Sequence, residues 1–234
     1  MKIWAILPAA GIGRRMAATI PKQYLQLNGL AVIEHSLKLL SSLPVLTQIT
    51  VVVHPEDKFW ADIELGCFAS EIVTVIGGDE RGQSVMNGLR SLDAGPDDWV
   101  LVHDAVRPCA SLSDINRLIK EIITPNTPCC GGILATPISD TIKRVNQANE
   151  IEGTVERDKL WSALTPQLFL FRQLIEAMES AITQGFLITD EASAMEHLGY
   201  PVKIVQGSSH NIKITHQADL ALAETILKSQ EKRQ

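Results

Sequence analysis

The sequence predicts an α/β fold built on a doubly wound, mostly parallel sheet. Two observations lead there. Short β-branched and apolar runs alternate with longer segments of helical period, the pattern of parallel strands joined by crossover helices. The runs are also apolar throughout rather than alternating, as strands covered on both faces are. A third observation, a polar interruption between about residues 138 and 155, adds a β-hairpin arm that protrudes from the sheet.

Taken in order, the strand candidates are Ile3 to Leu7, Ile49 to Val53, Ile72 to Ile76, Trp99 to His103, Gly132 to Thr136 and Val202 to Val205. Between them, Val85, Leu89 and Leu92 recur at helical spacing after Ser84. Ile115, Leu118, Ile119 and Ile122 follow the i, i+3, i+4, i+7 pattern with Ser113 as N-cap candidate. Phe171, Leu174, Ile175 and Met178 repeat that spacing, and all three stripes read as core-facing helix. In the arm, Thr141-Ile142-Lys143-Arg144-Val145 and Glu150-Ile151-Glu152 flank the polar turn Asn146-Gln147-Ala148-Asn149. A two-stranded ribbon is marginal alone in water, so it should lie on something, and a second copy of the chain is a natural candidate.

At 234 residues, with 45% hydrophobic and 21% charged residues, the chain has the size and composition of one folded domain spanning residues 1–234. A formal net charge of −6 gives no global attraction to nucleic acid or to an anionic membrane, so phosphate binding must come from locally placed cations. Met1 and Lys2 lead at once into the Ile3 to Leu7 run, which is too short for a signal peptide or a membrane span. Cys67, Cys109, Cys129 and Cys130 contain no C-x-x-C pair. A reduced cytoplasm is the expected location and small molecules are the expected partners.

The chemistry concentrates at strand ends. After the first strand, Pro8-Ala9-Ala10-Gly11-Ile12-Gly13-Arg14-Arg15-Met16 has small residues that let backbone N–H groups approach an anion. A dinucleotide fingerprint would need a third glycine where Met16 stands, and two arginines precede that position instead. Guanidinium groups suit a triphosphate, which disfavours an NAD-type oxidoreductase. Pro21-Lys22-Gln23-Tyr24 follows at a distance that lets one loop fold back, making Lys22 the next cation.

Gly77-Gly78-Asp79-Glu80-Arg81-Gly82-Gln83-Ser84 opens at the carboxyl edge of the third strand, where ligands of such sheets bind. Ser84 reads either as a helix N-cap or as a base or ribose contact. In Val102-His103-Asp104-Ala105-Val106-Arg107-Pro108, an acidic residue ends a buried strand. Asp104 is the candidate magnesium ligand, because magnesium takes hard oxygen donors and commonly combines one or two carboxylates with substrate phosphates. The bland alternative is an N-cap or an ion pair with Arg107. His103 points the opposite way along the strand and reads as a satisfied buried histidine.

These segments extend to a longer series: P-A-A-G-x-G-R-R-M, P-K-Q-Y, G-G-D-E-R-x-x-S-V, V-H-D-A-x-R-P, D-T-I-K, E-R-x-x-L-W-x-x-x-T-P-Q, T-D-E-A-S-A and N-I-K-I-T, in this order from Ile3 to about Leu227. Together they resemble the 2-C-methyl-D-erythritol 4-phosphate cytidylyltransferase family. The resemblance implies a Rossmann-like nucleotidyltransferase fold and transfer of CMP from CTP to the polyol phosphate, with Mg2+ as cofactor and pyrophosphate as product. Ribitol-5-phosphate cytidylyltransferase is the near alternative, and a nucleotide-binding regulator is an alternative of a different class.

Carried over residue by residue, Arg15 and Lys22 match the cations that stabilise the transition state, and Arg157 and Lys213 those that position the polyol phosphate. Ala10, Gly78, Asp79 and Ser84 fall where that family holds cytosine and ribose, with Gly11 and Gly13 in the same nucleotide-binding loop. Asp104 falls at the metal, and Thr141 and Thr189 at the polyol phosphate, with Arg107 taken as a further substrate-binding cation. In that family the arm reaches over a partner subunit, so a homodimer is implied, with Thr141 and Arg157 serving the neighbour's site. The chain departs from the family pattern at Val106, where a second Ala is common, and at Glu156, where Asp often stands. Two further departures are His210, where an acidic residue is frequent, and His216-Gln217-Ala218-Asp219, which lacks the usual Pro-Glu before Asp-Leu.

Overall fold

A run of six residues, Ile3–Pro8 (β1), forms the spine of the molecule. In the computed structural model, which describes residues 1–11, 20–123 and 129–232, β1 lies parallel to Leu46–Val53 (β4) on one side and to Trp99–Val102 (β6) on the other. Gln26–Leu27 (β2) and Leu30–Ala31 (β3) form a small separate ribbon between them in the chain. Ile72–Ile76 (β5) pairs with β4 at the edge. Beyond β6 come Trp161–Leu170 (β10), Gly131–Pro137 (β7) and Val202–Gln206 (β11), which complete a seven-stranded sheet of order β11-β7-β10-β6-β1-β4-β5. Only β10 runs antiparallel to its neighbours β6 and β7. The expected strands are all present, within a residue or so of their predicted ends except that β4 begins three residues earlier. The strands that pattern reading did not foresee are β10 in the sheet and the short β2 and β3 of the ribbon.

Successive residues of β1 face opposite layers, as strand geometry requires. Ile3, Ala5 and Leu7 join one core with Ile33, Leu37 and Leu40 of Val32–Ser41 (α1) and Ile115, Leu118 and Ile122 of Leu112–Ile122 (α3). Trp4 and Ile6 join the other with Val85, Met86 and Leu89 of Arg81–Ser91 (α2) and Leu174, Ala177 and Met178 of Phe171–Thr183 (α4). Each fully buried Leu, Ile or Phe here contributes about 1.5–3 kcal/mol. The predicted cover on both faces is therefore observed for the central strands, whereas the edge strands β5 and β11 stay partly exposed. The short Glu191–His197 (α5) joins the second layer, and Gln217–Glu231 (α6) packs Ala223 and Ile226 on Val106, Cys109 and Ile214.

Two predicted helix starts move. Ser111, not Ser113, caps α3: its Oγ accepts the Asp114 N–H at 3.2 Å, and the Ser113 hydroxyl pairs with Ser111. Ser84 lies inside α2, which already begins at Arg81 after the N-cap Glu80. The expected hairpin is present as Ile142–Val145 (β8) and Ile151–Val155 (β9), antiparallel and joined through a turn in which Asn146 Oδ1 accepts the N–H groups of Ala148 and Glu150. Among the described residues no helix is long and apolar enough to cross a membrane.

Candidate active site

The chain runs from β1 outward to β4 and β5, then returns to β6 on the other side of β1. That reversal splays the strand-end loops apart and opens a crevice at their carboxyl ends. An open cleft with about 650 Å³ of empty space lies there. Its wall begins where β1 ends: the Ala9 N–H donates to the Val52 carbonyl at 2.7 Å, and Ala10 and Gly11 line the cleft. The next predicted element does fold back. Gln23, nearly fully buried in a 3-10 turn over Lys22–Tyr24, donates from Nε2 to the Ala9 carbonyl at 2.6 Å, and this puts Lys22 on the cleft wall. Gly13 and Arg15, the other predicted residues of this loop, lie outside the described residues.

The end of β5 supplies the facing wall. Gly77 N–H donates to the Val53 carbonyl, and a Cβ on Gly77 would stand 2.7 Å from both Ala10 Cβ and Ser84 Oγ. Glycine is thus the residue that lets the two loops touch. Ser84 Oγ accepts the Gly78 N–H at 3.1 Å, so its hydroxyl shapes the loop from within the helix, and Gly78, Asp79 and Ser84 all line the cleft.

Asp104 sits at the end of β6 on the cleft floor, 6% exposed. Three cations surround it. Lys213 Nζ is 2.8 Å from Oδ2, Arg81 Nη2 3.2 Å from Oδ1 and Arg107 Nε 3.4 Å from Oδ2. Burial alone would raise the Asp104 carboxyl, but Arg81, Lys213 and Arg107 together hold it well below the usual carboxylate range. The ion pair with Arg107 is thus real but is one of three. Arg107 is not among the cleft-lining residues: it stands behind Asp104 and donates from Nη1 to the Asn211 carbonyl at 2.8 Å. Lys213 does line the cleft.

His103 behaves as a buried, satisfied residue. The Asp104 N–H donates to Thr165 Oγ1 at 3.0 Å, which leaves the Thr165 hydroxyl proton for His103 Nδ1, also at 3.0 Å. Nε2–H then donates to the Arg107 carbonyl at 3.2 Å, so the network assigns the neutral tautomer. Burial pushes the ring down to about 4, with the neighbouring Asp104 charge opposing. The ring therefore holds the 103–107 turn rather than exchanging protons in the cleft.

Several functional side chains were not singled out by the sequence reading. Asn211, 1% exposed, donates from Nδ2 to the Thr165 carbonyl at 2.7 Å and so fixes the segment carrying Lys213. Gln167 accepts the Ala192 N–H and donates to Asp190 Oδ2, which clamps the start of α5 onto β10. Arg81 and Glu191 form a further pair. The signal available for all of them was a polar residue inside an apolar or motif-bearing stretch: Thr165 and Gln167 in T-P-Q, Glu191 in T-D-E-A-S-A, Asn211 in N-I-K-I-T.

Thr141, Arg157 and Thr189 are not brought into the cleft of their own chain. Thr141 and Arg157 lie exposed at the base of the arm, where Arg157 donates to the Ser139 carbonyl. Thr189 is exposed just before α5, with its N–H on Ser193 Oγ. His210 borders a separate hollow together with His35 and Ser111 rather than the cleft. Val106 packs into the α6 core and also lines the cleft.

Among the described residues no group of three or more His, Cys, Asp and Glu side chains could hold a metal by itself. Asp104 offers one hard carboxylate at the cleft floor, the donor set magnesium uses when phosphates and water supply the rest. The residues therefore fit a metal bound together with a phosphorylated ligand.

The family model described as 2-C-methyl-D-erythritol 4-phosphate cytidylyltransferase matches residues 3–229. The chain belongs to the 2-C-methyl-D-erythritol 4-phosphate cytidylyltransferase family. A cytidylyltransferase of that name from Vibrio parahaemolyticus is 48% identical over 224 residues, covering 95% of this chain and 94% of its own. The one from Hahella chejuensis is 45% identical and covers 97% and 93%. The crystal structure of the Francisella tularensis 2-C-methyl-D-erythritol 4-phosphate cytidylyltransferase superposes with a TM-score of 0.83 at 37% identity, covering 97% of this chain and 100% of that one. As a member of this cytidylyltransferase family the chain is an enzyme of the nucleotidyltransferase class, and the predicted α/β sheet is that of the family's solved structures.

Proposed function

We propose that this enzyme transfers CMP from CTP to 2-C-methyl-D-erythritol 4-phosphate, giving 4-diphosphocytidyl-2-C-methyl-D-erythritol and pyrophosphate, a step in isoprenoid precursor synthesis. The observation that carries this reading is the family match across residues 3–229. A phosphate oxygen of the polyol attacks the α-phosphorus of CTP in line, and the bond to pyrophosphate breaks. The second pKa of a phosphate monoester is about 6, so near pH 7 the nucleophile is already mostly deprotonated. A general base is not required, which accords with a histidine, His103, that is committed to holding a turn.

The barrier is electrostatic: two unit charges about 4 Å apart repel by roughly 4 kcal/mol at an effective dielectric of about 20. Local cations answer it. Lys22 and Arg15 neutralise charge growing on the phosphoryl and pyrophosphate oxygens, while Lys213 and Arg157 hold the attacking phosphate in line. Asp104 would hold magnesium, which supplies further neutralisation of the phosphates. Ala10, Gly11, Gly78, Asp79 and Ser84 shape the site for cytosine and ribose at the strand ends, and Gly13 is assigned to the same nucleotide-binding role by the family resemblance alone. Thr141 and Thr189 complete the polyol side, and Arg107, expected there from the resemblance, serves it from behind Asp104 through that carboxylate.

The proposal includes a homodimer in which each arm, with Thr141 and Arg157, closes the partner's cleft. Exposed apolar side chains on and beside the arm, Val145, Ile151 and Trp161, support it. It also includes a cytoplasmic location, which four free cysteine thiols suit, and small-molecule partners rather than nucleic acid or membrane, which the net charge of −6 favours. Pyrophosphate release is measured with CTP, magnesium and either 2-C-methyl-D-erythritol 4-phosphate or ribitol 5-phosphate. Release with the first alone is expected, release with ribitol phosphate alone would reassign the substrate, and release with neither would refute the activity.

A further inference from the structure

The three cations on Asp104 are held in different ways. Lys213 makes one contact with Oδ2 from a flexible stem that is 37% exposed at the cleft. Arg81 is fixed at its other side: Nη1 and Nη2 donate to the two oxygens of Glu191 at 2.7 and 3.1 Å, while Nη2 also reaches Asp104 Oδ1. Glu191 is fully buried. A carboxylate taken that far from water costs several kcal/mol unless it is paired, so its retention is explained by what it does to Arg81. The residues flanking Glu191 are pinned as well, because Gln167 accepts the Ala192 N–H and donates to the Asp190 carboxylate.

The charges also divide unequally. Two carboxylates, Asp104 and Glu191, meet three cations, so one positive charge is in excess. If Lys213 leaves, Arg81 and Arg107 still balance Asp104 and Glu191. Its charge then becomes available to an anion in the cleft without stranding a buried charge behind it.

We propose that Arg81, anchored by Glu191, is a positioning residue for the nucleotidyl transfer: it fixes Asp104 through Oδ1, so that Lys213 can exchange Oδ2 for a substrate phosphate while Asp104 keeps its orientation. This rests on the activity proposed above. A guanidinium suits the junction because its rigid planar fork gives Glu191 two N–H donors while still reaching Asp104, a fixed geometry that the single nitrogen of an ammonium does not supply.

The test compares Arg81→Ala, Arg81→Lys and Glu191→Gln with the unmodified protein, and takes Arg90→Ala, which breaks an exposed pair with Glu179, as control. Arg81→Ala and Glu191→Gln should each lower kcat about 100-fold with the Michaelis constant for CTP changed less than about threefold, since misplacing a reacting group by 1 Å costs on that order. Arg81→Lys should stay at least tenfold below the unmodified rate. Added guanidinium, at fixed ionic strength, should restore at least tenfold of the Arg81→Ala loss, which repair of a merely structural defect would not do.

Unmodified turnover in Glu191→Gln, or a raised CTP Michaelis constant with kcat intact in Arg81→Ala, would overturn the proposal. If Arg81→Ala does not fold by circular dichroism, Glu191→Gln decides. If the unmodified protein itself does not turn over CTP, the activity fails, and crystal structures of Lys213→Met with and without Glu191→Gln decide the positioning. Asp104 should keep its side-chain rotamer in the single variant and lose it in the double, and the reverse result refutes the inference.

Discussion

Asp98 touches no substrate, yet it ties together the two strands whose far ends form the cleft. Its carboxylate accepts the Lys2 N–H at 2.7 Å, the Trp4 indole N–H at 3.1 Å and the Gly95 N–H at 3.0 Å, joining the start of β1 to the start of β6. Burial would raise this carboxyl, but the donors on it hold it below its usual range. A folded-state pKa below the unfolded value contributes stability that is fully present above the unfolded pKa of about 3.9 and is lost as pH falls through the folded one. Asp98→Asn keeps the shape and removes the charge, and should cost about 1–3 kcal/mol at pH 7. The gap between variant and unmodified protein should begin to shrink below about pH 4, where the unfolded chain takes up the proton first, and close only when the folded carboxyl is protonated too. Urea unfolding followed by tryptophan fluorescence at pH 7 and pH 3 measures both. At this scale the legibility of the site was uneven. Asp104 could be read because an acidic residue ended an apolar strand, whereas the Arg81–Glu191 pair lies 110 residues apart in the chain and no local pattern joins them.

The elements repeat that contrast. β1, β4 and β6 were legible as continuous apolar runs because most of their residues are buried on both faces, and β5 as an apolar run although it lies partly exposed at the sheet edge. β10 was not: Trp-Ser-Ala-Leu-Thr-Pro-Gln-Leu-Phe-Leu carries a proline, which cannot donate to a ladder and ordinarily argues against an interior strand. The sheet accommodates it with a register shift between Ala163 and Gln167, so Pro166 falls where the pairing with β7 is interrupted. That interruption also lets Thr165 and Gln167 serve Asp104 and α5. The loops after β1 and β5 meet at Gly77, and the close approach there predicts a specific failure. In Gly77→Ala the new methyl would stand 2.7 Å from Ala10 Cβ and Ser84 Oγ, so the loops must separate. CTP affinity should fall at least tenfold by calorimetric titration, with a stability loss of about 1–3 kcal/mol from overpacking. Gly66→Ala, where nothing lies within 4 Å, should leave CTP binding unchanged.

For the whole molecule, the open question is how the arm's residues reach a cleft. The cleft of one chain is lined by Lys22, Asp104 and Lys213, while Thr141 and Arg157 stand at the base of the hairpin outside it. The proposed dimer resolves this by exchange, each arm serving the neighbour, and the resulting site has Lys22 from one chain and Arg157 from the other. Subunit mixing tests that geometry without any structure. Lys22→Ala and Arg157→Ala should each be nearly inactive as homodimers. When equal amounts are dissociated and reassociated, about half the dimers are mixed. Each mixed dimer then holds one site that lacks both side chains and one site that has both. Pyrophosphate release should therefore recover to about a quarter of the unmodified rate. If Arg157 instead served its own chain, every site in the mixture would lack one of the two residues and no activity would return.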